Sequence, residues 1–242
     1  MDLSGKVAVV TGGGRGIGAA IATALVDAGC AVAILGRDEA ALSERTAALA
    51  TKRGRIVARR CDIRSPSAVR TLISEIEATL GSIDILVNNA GGWAGEPLVE
   101  VSSERLDELV DTIVKGTMHM SRAVLPGMMK RRMGFILNIG SVSGLPVSRD
   151  SAIASAPKAA VASLTHALQQ EVRASRIRVA VLHPDHVKSK PMLDVPLDRM
   201  RNDGKYTHIS AAQVASVALF MLRQPDNVLL REVVVVPSGA EL

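Results

Sequence analysis

The sequence is poor in aromatic residues and has no long hydrophobic run. It contains one Trp, one Tyr and two Phe, whereas proteins that bind single-stranded nucleic acid need aromatic side chains on which bases stack. The net charge of +5 comes from scattered Lys and Arg without a long basic stripe. We therefore expect no nucleic-acid partner. Because no apolar run approaches the ~20 residues of a bilayer span, we also expect no membrane association.

Cysteine is scarce as well. Cys30 and Cys61 fall at the start of one predicted strand and the end of another, with no further pair that would indicate a metal site. We interpret both as reduced, packed thiols and expect no bound metal. The first ten residues, MDLSGKVAVV, lack the basic and then apolar layout of a signal peptide, so we expect a cytoplasmic protein. The length of 242 residues and 48% hydrophobic content predict one domain, residues 1–242.

The most informative segment is 6–18, KVAVVTGGGRGIG. Residues 7–10 suit a strand buried on both faces, and Ile17, Ile21 and Leu25 recur at the spacing of one helical face. The glycines between them remove side chains where backbone amides must approach a pyrophosphate. The N–H groups that open the following helix favour its negative charge. The segment predicts a dinucleotide site.

Strand-like and helix-like segments alternate along the rest of the chain without a linker or repeat. This alternation predicts an α/β fold: a single doubly wound, Rossmann-type domain with a parallel sheet of about seven strands and helices on both faces. After the first unit, the predicted strands are 31–35, 55–60, 83–88, 135–139, 178–182 and 232–236, and the predicted helices are 39–50, 67–80, 103–132, 152–174 and 211–222.

In such folds ligands bind beyond the carboxyl ends of the strands. The segments predicted there carry T-G-x-x-x-G-x-G at 11–18, N-N-A-G at 88–91, N-I-G-S-V-S-G at 138–144 and P-x-x-V-x-S at 184–189. With Asp62 and Lys158, these motifs resemble the short-chain dehydrogenase/reductase family over the whole chain. The resemblance implies an NAD(P)-dependent oxidoreductase that acts on a small alcohol or carbonyl compound and forms a homodimer or homotetramer.

The resemblance also implies a set of cofactor-binding residues: Gly12, Gly14, Arg15, Gly16, Ile17, Gly18, Arg37, Asp62, Asn89, Ala90, Gly91, Lys158, Pro184, Val187 and Ser189. An acidic residue after the second strand would hold a ribose 2′-hydroxyl and repel a 2′-phosphate. Gly36 and Arg37 stand there, with Arg15 in the glycine turn, so we favour NADP(H) over NAD(H). Alternatively, both arginines are solvated surface charges. Asp62 either contacts the adenine or forms a turn.

The family's catalytic set is a Ser, a Tyr and a Lys, assisted by an Asn on the long helix. The Tyr phenol exchanges a proton with the substrate, and the nearby Lys ammonium lowers the pKa of that phenol. Ser141 and Lys158 match the Ser and the Lys. Four residues before Lys158, however, the tyrosine position holds Ala154, and Ile113 stands at the asparagine position. The usual Pro-Gly after the sixth strand reads Pro-Asp at 184–185.

Another group must therefore move the proton, or the ordinary reaction has been lost. His186 is the first candidate substitute, followed by Asp185, His183 and Tyr206. Each also has a structural interpretation, as a turn, strand-end or surface residue. Trp93 either lines a substrate pocket or packs against its neighbours. The two histidines on predicted helices, His119 and His166, are interpreted as structural. Two functions stay open: an oxidoreductase with an altered proton-transfer step, and a nucleotide-binding or non-redox relative.

Overall fold

The computed structural model describes residues 2–52, 54–92, 96–145, 151–188 and 208–239, and a seven-stranded parallel sheet lies at the centre of this part of the chain. The sheet order is β3-β2-β1-β4-β5-β6-β9. Its strands are β1 (Val7–Thr11), β2 (Ala31–Gly36), β3 (Arg55–Arg60), β4 (Ile85–Asn88), β5 (Gly134–Ile139), β6 (Ile177–Pro184) and β9 (Glu232–Val235). Two short strands, β7 (Val187–Lys188) and β8 (Ile209–Ser210), pair separately.

Helices cover both faces of the sheet. They are α1 (Gly16–Asp27), α2 (Glu39–Leu49), α3 (Pro66–Leu80), α4 (Ser103–Val110), α5 (Gly116–Arg131), α6 (Ala152–Val172) and α7 (Ala211–Arg223). Buried residues of α1, α2 and α7 form one apolar core with one face of the strands, and those of α3, α5 and α6 form a second core on the other face. Strands covered on both sides must be apolar throughout, which is why β1 is fully buried.

The structure confirms the predicted doubly wound fold with its seven parallel strands. The predicted long helix over 103–132 is present without a break in the helical backbone, but a π-helical turn at Asp111–Lys115, which was not predicted, lies between its two α-helical parts, α4 and α5. The β7–β8 pair was not predicted, since two-residue strands carry no periodic signal. Both cysteines are free and buried, as expected, and burial raises the pKa of each thiol, that of Cys30 to about 11.

Among the described residues, no helix is both long and apolar enough to cross a lipid bilayer.

The strand order reverses beside β1, which pairs with β2 on one side and β4 on the other. At such a switch point the connections diverge to opposite faces and leave a crevice at the carboxyl ends of the strands. Thr11 ends β1 there, and its Oγ1 accepts hydrogen bonds from the backbone N–H groups of Asn89 and Ala90, each at 2.9 Å. The loop after β4 is thereby held to the end of β1, where the glycine turn begins.

Candidate active site

The glycine turn forms the centre of the crevice. Gly12 and Gly16 have φ values of +64° and +54°, which side chains other than glycine's rarely adopt. Gly18 is required for another reason: a Cβ there would lie 2.3 Å from the carbonyl oxygen of Gly12 and 2.4 Å from Nδ2 of Asn89. The turn is thus packed directly against the loop after β4.

The first helical N–H groups of α1 are left open toward the crevice. Side chains cap α2, α3, α4 and α7, but the N-cap residue of α1, Arg15, makes no such hydrogen bond. Gly16 and Ile17, the first residues of α1, line the crevice. Uncapped N–H groups and the helix dipole together favour an anion at this position.

Two clefts meet at the glycine turn. The Arg37 cleft, of about 310 Å³, lies between the ends of β2 and β3 and helix α4. The Ser141 cleft, of about 450 Å³, lies between the ends of β4, β5 and β6 and helix α6. Both are lined by Gly12, Arg15, Ala90, Gly91 and Gly92. A ligand with two rings joined by a phosphate bridge could therefore extend from one cleft into the other across the open end of α1.

The cations of the Arg37 cleft are paired with carboxylates. Arg37 donates to Glu108 of α4 at 2.9 Å, and Arg15 forms a short ion pair with Asp38. The Arg37 guanidinium lowers the pKa of Glu108, with a smaller contribution from Arg105. Each guanidinium has five N–H donors, so one carboxylate does not exhaust its capacity for a further anion.

Asp62 lines the same cleft, but its carboxylate is engaged by Arg64. The Arg64 backbone N–H donates to Asp62 Oδ1 at 3.0 Å, and Arg64 Nε approaches the two carboxylate oxygens at 2.9 and 3.0 Å. The side-chain hydrogen bonds from Arg64 are the main cause of the lowered pKa of Asp62. Asp62 thus accepts hydrogen bonds within its own turn and also lies at the cleft wall, and its contact with an adenine stays a prediction.

Ser141 and Lys158 line the Ser141 cleft together. The hydroxyl of Ser141 donates to Ser143 Oγ at 2.9 Å and accepts from the Ser143 backbone N–H at 3.1 Å. Nζ of Lys158 donates to the carbonyl oxygen of Ile139 at 3.0 Å. Burial lowers the pKa of Lys158 from 10.5 to about 8. The sequence separated these two residues by 17 positions, and the packing of α6 against β5 brings both to one cavity.

The position that the family resemblance gives to a tyrosine is held by Ala154 in the first turns of α6, partly buried. The position given to an asparagine is held by Ile113 in the π-helical turn. Ile113 is buried and belongs to an apolar cluster with Leu109, Ile153 and Val161. A polar group at residue 113 would have to enter this apolar cluster.

The candidate substitutes separate into different locations. Asp185 and His186 line the Ser141 cleft, and the Nδ1 atom of His186 lies 2.7 Å from Asp185 Oδ1. His183 is fully buried next to Ser141 and does not line the cleft. Tyr206, Trp93 and the expected cofactor residue Ser189 lie outside the described residues.

The remaining expected cofactor residues lie at the crevice. Gly14, Arg37 and Asp62 line the Arg37 cleft; Gly16, Ile17, Asn89, Lys158, Pro184 and Val187 line the Ser141 cleft. Gly18 lies behind the turn, in contact with Asn89. The sequence reasoning missed Arg105, Glu108 and Thr112, which line the Arg37 cleft from α4 and the π-helical turn. Their only sequence signal was an Arg and a Glu three residues apart, which surface helices commonly contain.

A buried polar network joins the end of β4, directly before the loop that borders the crevice, to three neighbouring elements. Asn88 Nδ2 donates to Asn138 Oδ1 at 2.9 Å and to Ser121 Oγ at 3.2 Å, and Asn138 Nδ2 donates to Thr165 Oγ1 at 2.8 Å. The four residues lie on β4, α5, β5 and α6 and are almost completely excluded from solvent. Such a network fixes the relative positions of the elements that carry the cleft residues.

Comparisons with known proteins agree with this fold. The sequence profile described as short chain dehydrogenase matches residues 6–198. An uncharacterized oxidoreductase of Staphylococcus saprophyticus subsp. saprophyticus is 35% identical, over 98% of this chain and 99% of its own. One of Staphylococcus aureus strain MRSA252 is 32% identical, over 97% of this chain and 98% of its own.

Solved structures give the same result. A metagenomic short-chain oxidoreductase in complex with NADP is 31% identical, with a TM-score of 0.83, over 98% of this chain and 100% of that one. The closed form of a serine dehydrogenase complexed with NADP⁺ is 27% identical, with a TM-score of 0.87, over 98% of this chain and 96% of that one.

Proposed function

The chain belongs to the short-chain dehydrogenase family, and from this we propose that it binds NADP(H) in preference to NAD(H) and exchanges hydride with a small carbonyl or alcohol compound. It is an oxidoreductase of that family. The observation that carries the proposal is the pair of clefts that meet at the open N-terminus of α1, one with arginines and the other with Ser141 and Lys158. The substrate is not identified by this arrangement.

The residues present fit a dinucleotide. The uncapped N–H groups of α1 suit a pyrophosphate, and the glycine turn removes side chains from its path. Arg37 and Arg15 stand where a ribose 2′-phosphate would lie, and two of the solved relatives are complexes with NADP. Because Asp38 and Glu108 already pair with these arginines, a 2′-phosphate would have to share them or displace the carboxylates.

The Ser141 cleft would hold the nicotinamide and the substrate. When bound, the nicotinamide supplies or accepts the hydride. In the reducing direction a carbonyl carbon gains the hydride and its oxygen gains a proton, so a donor must face that oxygen. The Ser141 hydroxyl can donate a hydrogen bond to the oxygen, and the Lys158 ammonium, where protonated, favours the negative charge that develops there.

The proton donor is proposed to differ from that of the family at large. With Ala154 and Ile113 at the two usual positions, the titratable side chains that line the Ser141 cleft within the described part of the chain are Lys158, Asp185, His186 and Arg15. Asp185 holds Nδ1 of His186 at 2.7 Å, which orients the ring as a carboxylate orients a catalytic imidazole. We therefore propose His186 as the acid and base of the reaction, with Asp185 as its positioning residue.

A second function remains a candidate because of Ala154. Loss of a positioned acid removes about 10²–10⁴ in rate, so the chain could keep its nucleotide site for binding alone. Such a protein would need Arg37 and the glycine turn but would not need Ser141 or His186.

Fluorescence titration with NADPH and NADH, followed by a screen of ketones, aldehydes and 3-oxoacyl thioesters, tests the proposal. We expect tighter binding of NADPH and NADPH oxidation that depends on added substrate and falls in Ser141→Ala and His186→Gln. Binding without oxidation of any substrate would select the second function. Absence of binding to either nucleotide would contradict both.

We also propose that the protein assembles with copies of itself. Leu106 of α4, Met118 of α5, Phe220 of α7 and Val234 of β9 are large apolar side chains that are 39–60% exposed in the single chain. Apolar side chains exposed on helices and on an edge strand are typical of subunit contacts. Sedimentation velocity of the purified protein distinguishes a dimer or tetramer from a monomer, and a monomer at micromolar concentration would contradict the proposal.

A further inference from the structure

His183 lies directly behind Ser141. It is the penultimate residue of β6, and its side chain is fully excluded from solvent. Its Nδ1 atom is 3.3 Å from the backbone nitrogen of Ser141 and 2.9 Å from the carbonyl oxygen of the same residue. Gly140 leaves room for the ring, since a Cβ there would lie 2.6 Å from Nδ1. The imidazole thus contacts the backbone of one residue of the Ser141 cleft.

The opposite edge of the ring faces Glu232. Nε2 of His183 lies 3.1 Å from Glu232 Oε1, and Nε2 of His166 on α6 lies 3.1 Å from Glu232 Oε2. Glu232 is on β9, the neighbour of β6 in the sheet. Both Nε2 atoms are buried, and neither makes a hydrogen bond among the residues that the structure describes, so each faces Glu232 as a close charge contact. One carboxylate therefore lies between two imidazoles that come from different elements.

The charge of Glu232 favours one neutral form of the His183 ring. A neutral imidazole carries one N–H, and the carboxylate of Glu232 at 3.1 Å favours that proton on Nε2. Nδ1 then accepts from the Ser141 N–H at 3.3 Å and lies 2.9 Å from the Ser141 carbonyl oxygen without a proton between them. In the other neutral tautomer, Nδ1 would donate to that carbonyl at 2.9 Å, but the Nε2 lone pair would face a full negative charge. Glu232 thereby decides which backbone group of Ser141 is held.

We propose that His183 and Glu232 are positioning residues for Ser141: the carboxylate keeps the Nε2–H tautomer, and Nδ1 holds the serine backbone so that its hydroxyl faces the cleft. The proposal rests on the proposed function, because Ser141 is the group in that cleft that would contact the substrate oxygen. His166 shares the carboxylate but makes no contact with Ser141, so it serves as the matched control.

The tautomer can be measured without turnover. Two-dimensional ¹⁵N spectra of the imidazole rings in the full-length protein, assigned by comparison with His183→Gln, should show His183 protonated at Nε2. In Glu232→Gln the amide can both donate and accept, so we expect a change in the His183 pattern and a shift of the Ser141 backbone amide. In His166→Gln the Ser141 amide should stay in place. Protonation at Nδ1 in the wild type, or an unmoved Ser141 amide in Glu232→Gln, would overturn the proposal.

Kinetics then test the consequence for the reaction. Because one lost positioning hydrogen bond corresponds to a change on the order of tenfold, Glu232→Gln should lower kcat by about that factor with the NADPH affinity unchanged. His166→Gln should keep both. A kcat in Glu232→Gln equal to that of the wild type would overturn the positioning role. If the wild type oxidises NADPH with none of the substrates in the screen, the proposed function fails. The spectra still decide the tautomer, because they need no turnover.

Discussion

The ammonium group of Lys158 donates a hydrogen bond to the backbone carbonyl of Ile139, with the two atoms 3.0 Å apart. Ile139 ends β5 two residues before Ser141, and Lys158 lies one helical turn after Ala154. This hydrogen bond fixes Lys158 at the cleft. The first two predictions concern this lysine and the alanine one turn before it.

The first prediction concerns stability and pH. The pKa of Lys158 is about 8 in the folded chain and 10.5 in the unfolded chain, so between these values the unfolded chain binds the additional proton. Stability must therefore rise with pH across this window, since the cost of burying the charge is present below pH 8 and is relieved above it. Between pH 8 and pH 10, the free energy of unfolding in urea should rise by about 2 kcal/mol more in the wild type than in Lys158→Met. Parallel curves for the two proteins would contradict the lowered pKa.

The second prediction restores the absent phenol. Ala154→Tyr places a hydroxyl one turn before Lys158, where the ammonium can lower its pKa. We expect kcat for a substrate found in the screen to rise, but by less than the ~10²–10⁴ that a positioned general acid usually contributes, because His186 is proposed to supply part of that factor already. Ala154→Phe supplies the same ring without the hydroxyl and should give no rise. Equal rates for the two variants would show that ring packing, rather than proton transfer, accounts for the effect.

The third prediction concerns the choice of cofactor. Arg37→Ala should weaken NADPH binding by about tenfold. A charge-assisted hydrogen bond to the 2′-phosphate contributes about 1.5–3 kcal/mol, and part of this is cancelled because Arg37 must give up its pair with Glu108 to make it. NADH has no 2′-phosphate, and its affinity should stay unchanged. Glu108→Gln releases Arg37 from its 2.9 Å ion pair and should tighten NADPH alone. An equal loss of NADPH and NADH affinity in Arg37→Ala would contradict the role of Arg37 in binding the 2′-phosphate.

The fourth prediction separates two glycines near the crevice. Gly18→Ala brings a methyl group 2.3 Å from the Gly12 carbonyl oxygen, so the turn must move and NADPH binding should be lost. Gly36→Ala serves as the control for thermal unfolding, because the nearest atom to its new Cβ, in Leu42, is 3.5 Å away, an ordinary contact; Gly36 itself lines the Arg37 cleft. Titration with NADPH and thermal unfolding of both variants test the difference. Tight binding by Gly18→Ala would show that the turn adapts.

The fifth prediction compares two threonines that make the same helical hydrogen bond. Thr165 and Thr79 each donate from Oγ1 to the carbonyl four residues earlier, both at 2.7 Å. Thr165 also accepts from the buried Asn138 amide, whereas Thr79 is exposed. Thr165→Val should cost about 1–3 kcal/mol by leaving that amide without an acceptor, and Thr79→Val should change stability by less than about 0.5 kcal/mol. Chemical denaturation measures both, and equal losses would show that the network contributes nothing.

The alternation of apolar strands and amphipathic helices determined the fold. Because a parallel strand covered on both faces must be apolar throughout, β1 and the glycines after it could be recognised from their residues alone. The same pattern predicted that the ends of seven strands meet at one edge of the sheet. The family assignment followed from motifs at those ends, and the sequence profile confirms it. The roles of Ser141, Lys158 and His186, by contrast, stay predictions.

Only the tertiary structure decided the pairings between distant residues. Arg37 with Glu108, and His183 with Glu232, are 71 and 49 positions apart, and no periodic pattern relates such positions. The π-helical turn at Ile113 likewise has no signal in the sequence pattern, and Ile113 packs there in one cluster with Ile153 and Val161 of α6. The sequence by itself determined which elements form, because burial imposes a period on each element; which side chains meet depended on how those elements pack, and that is a property of the whole chain.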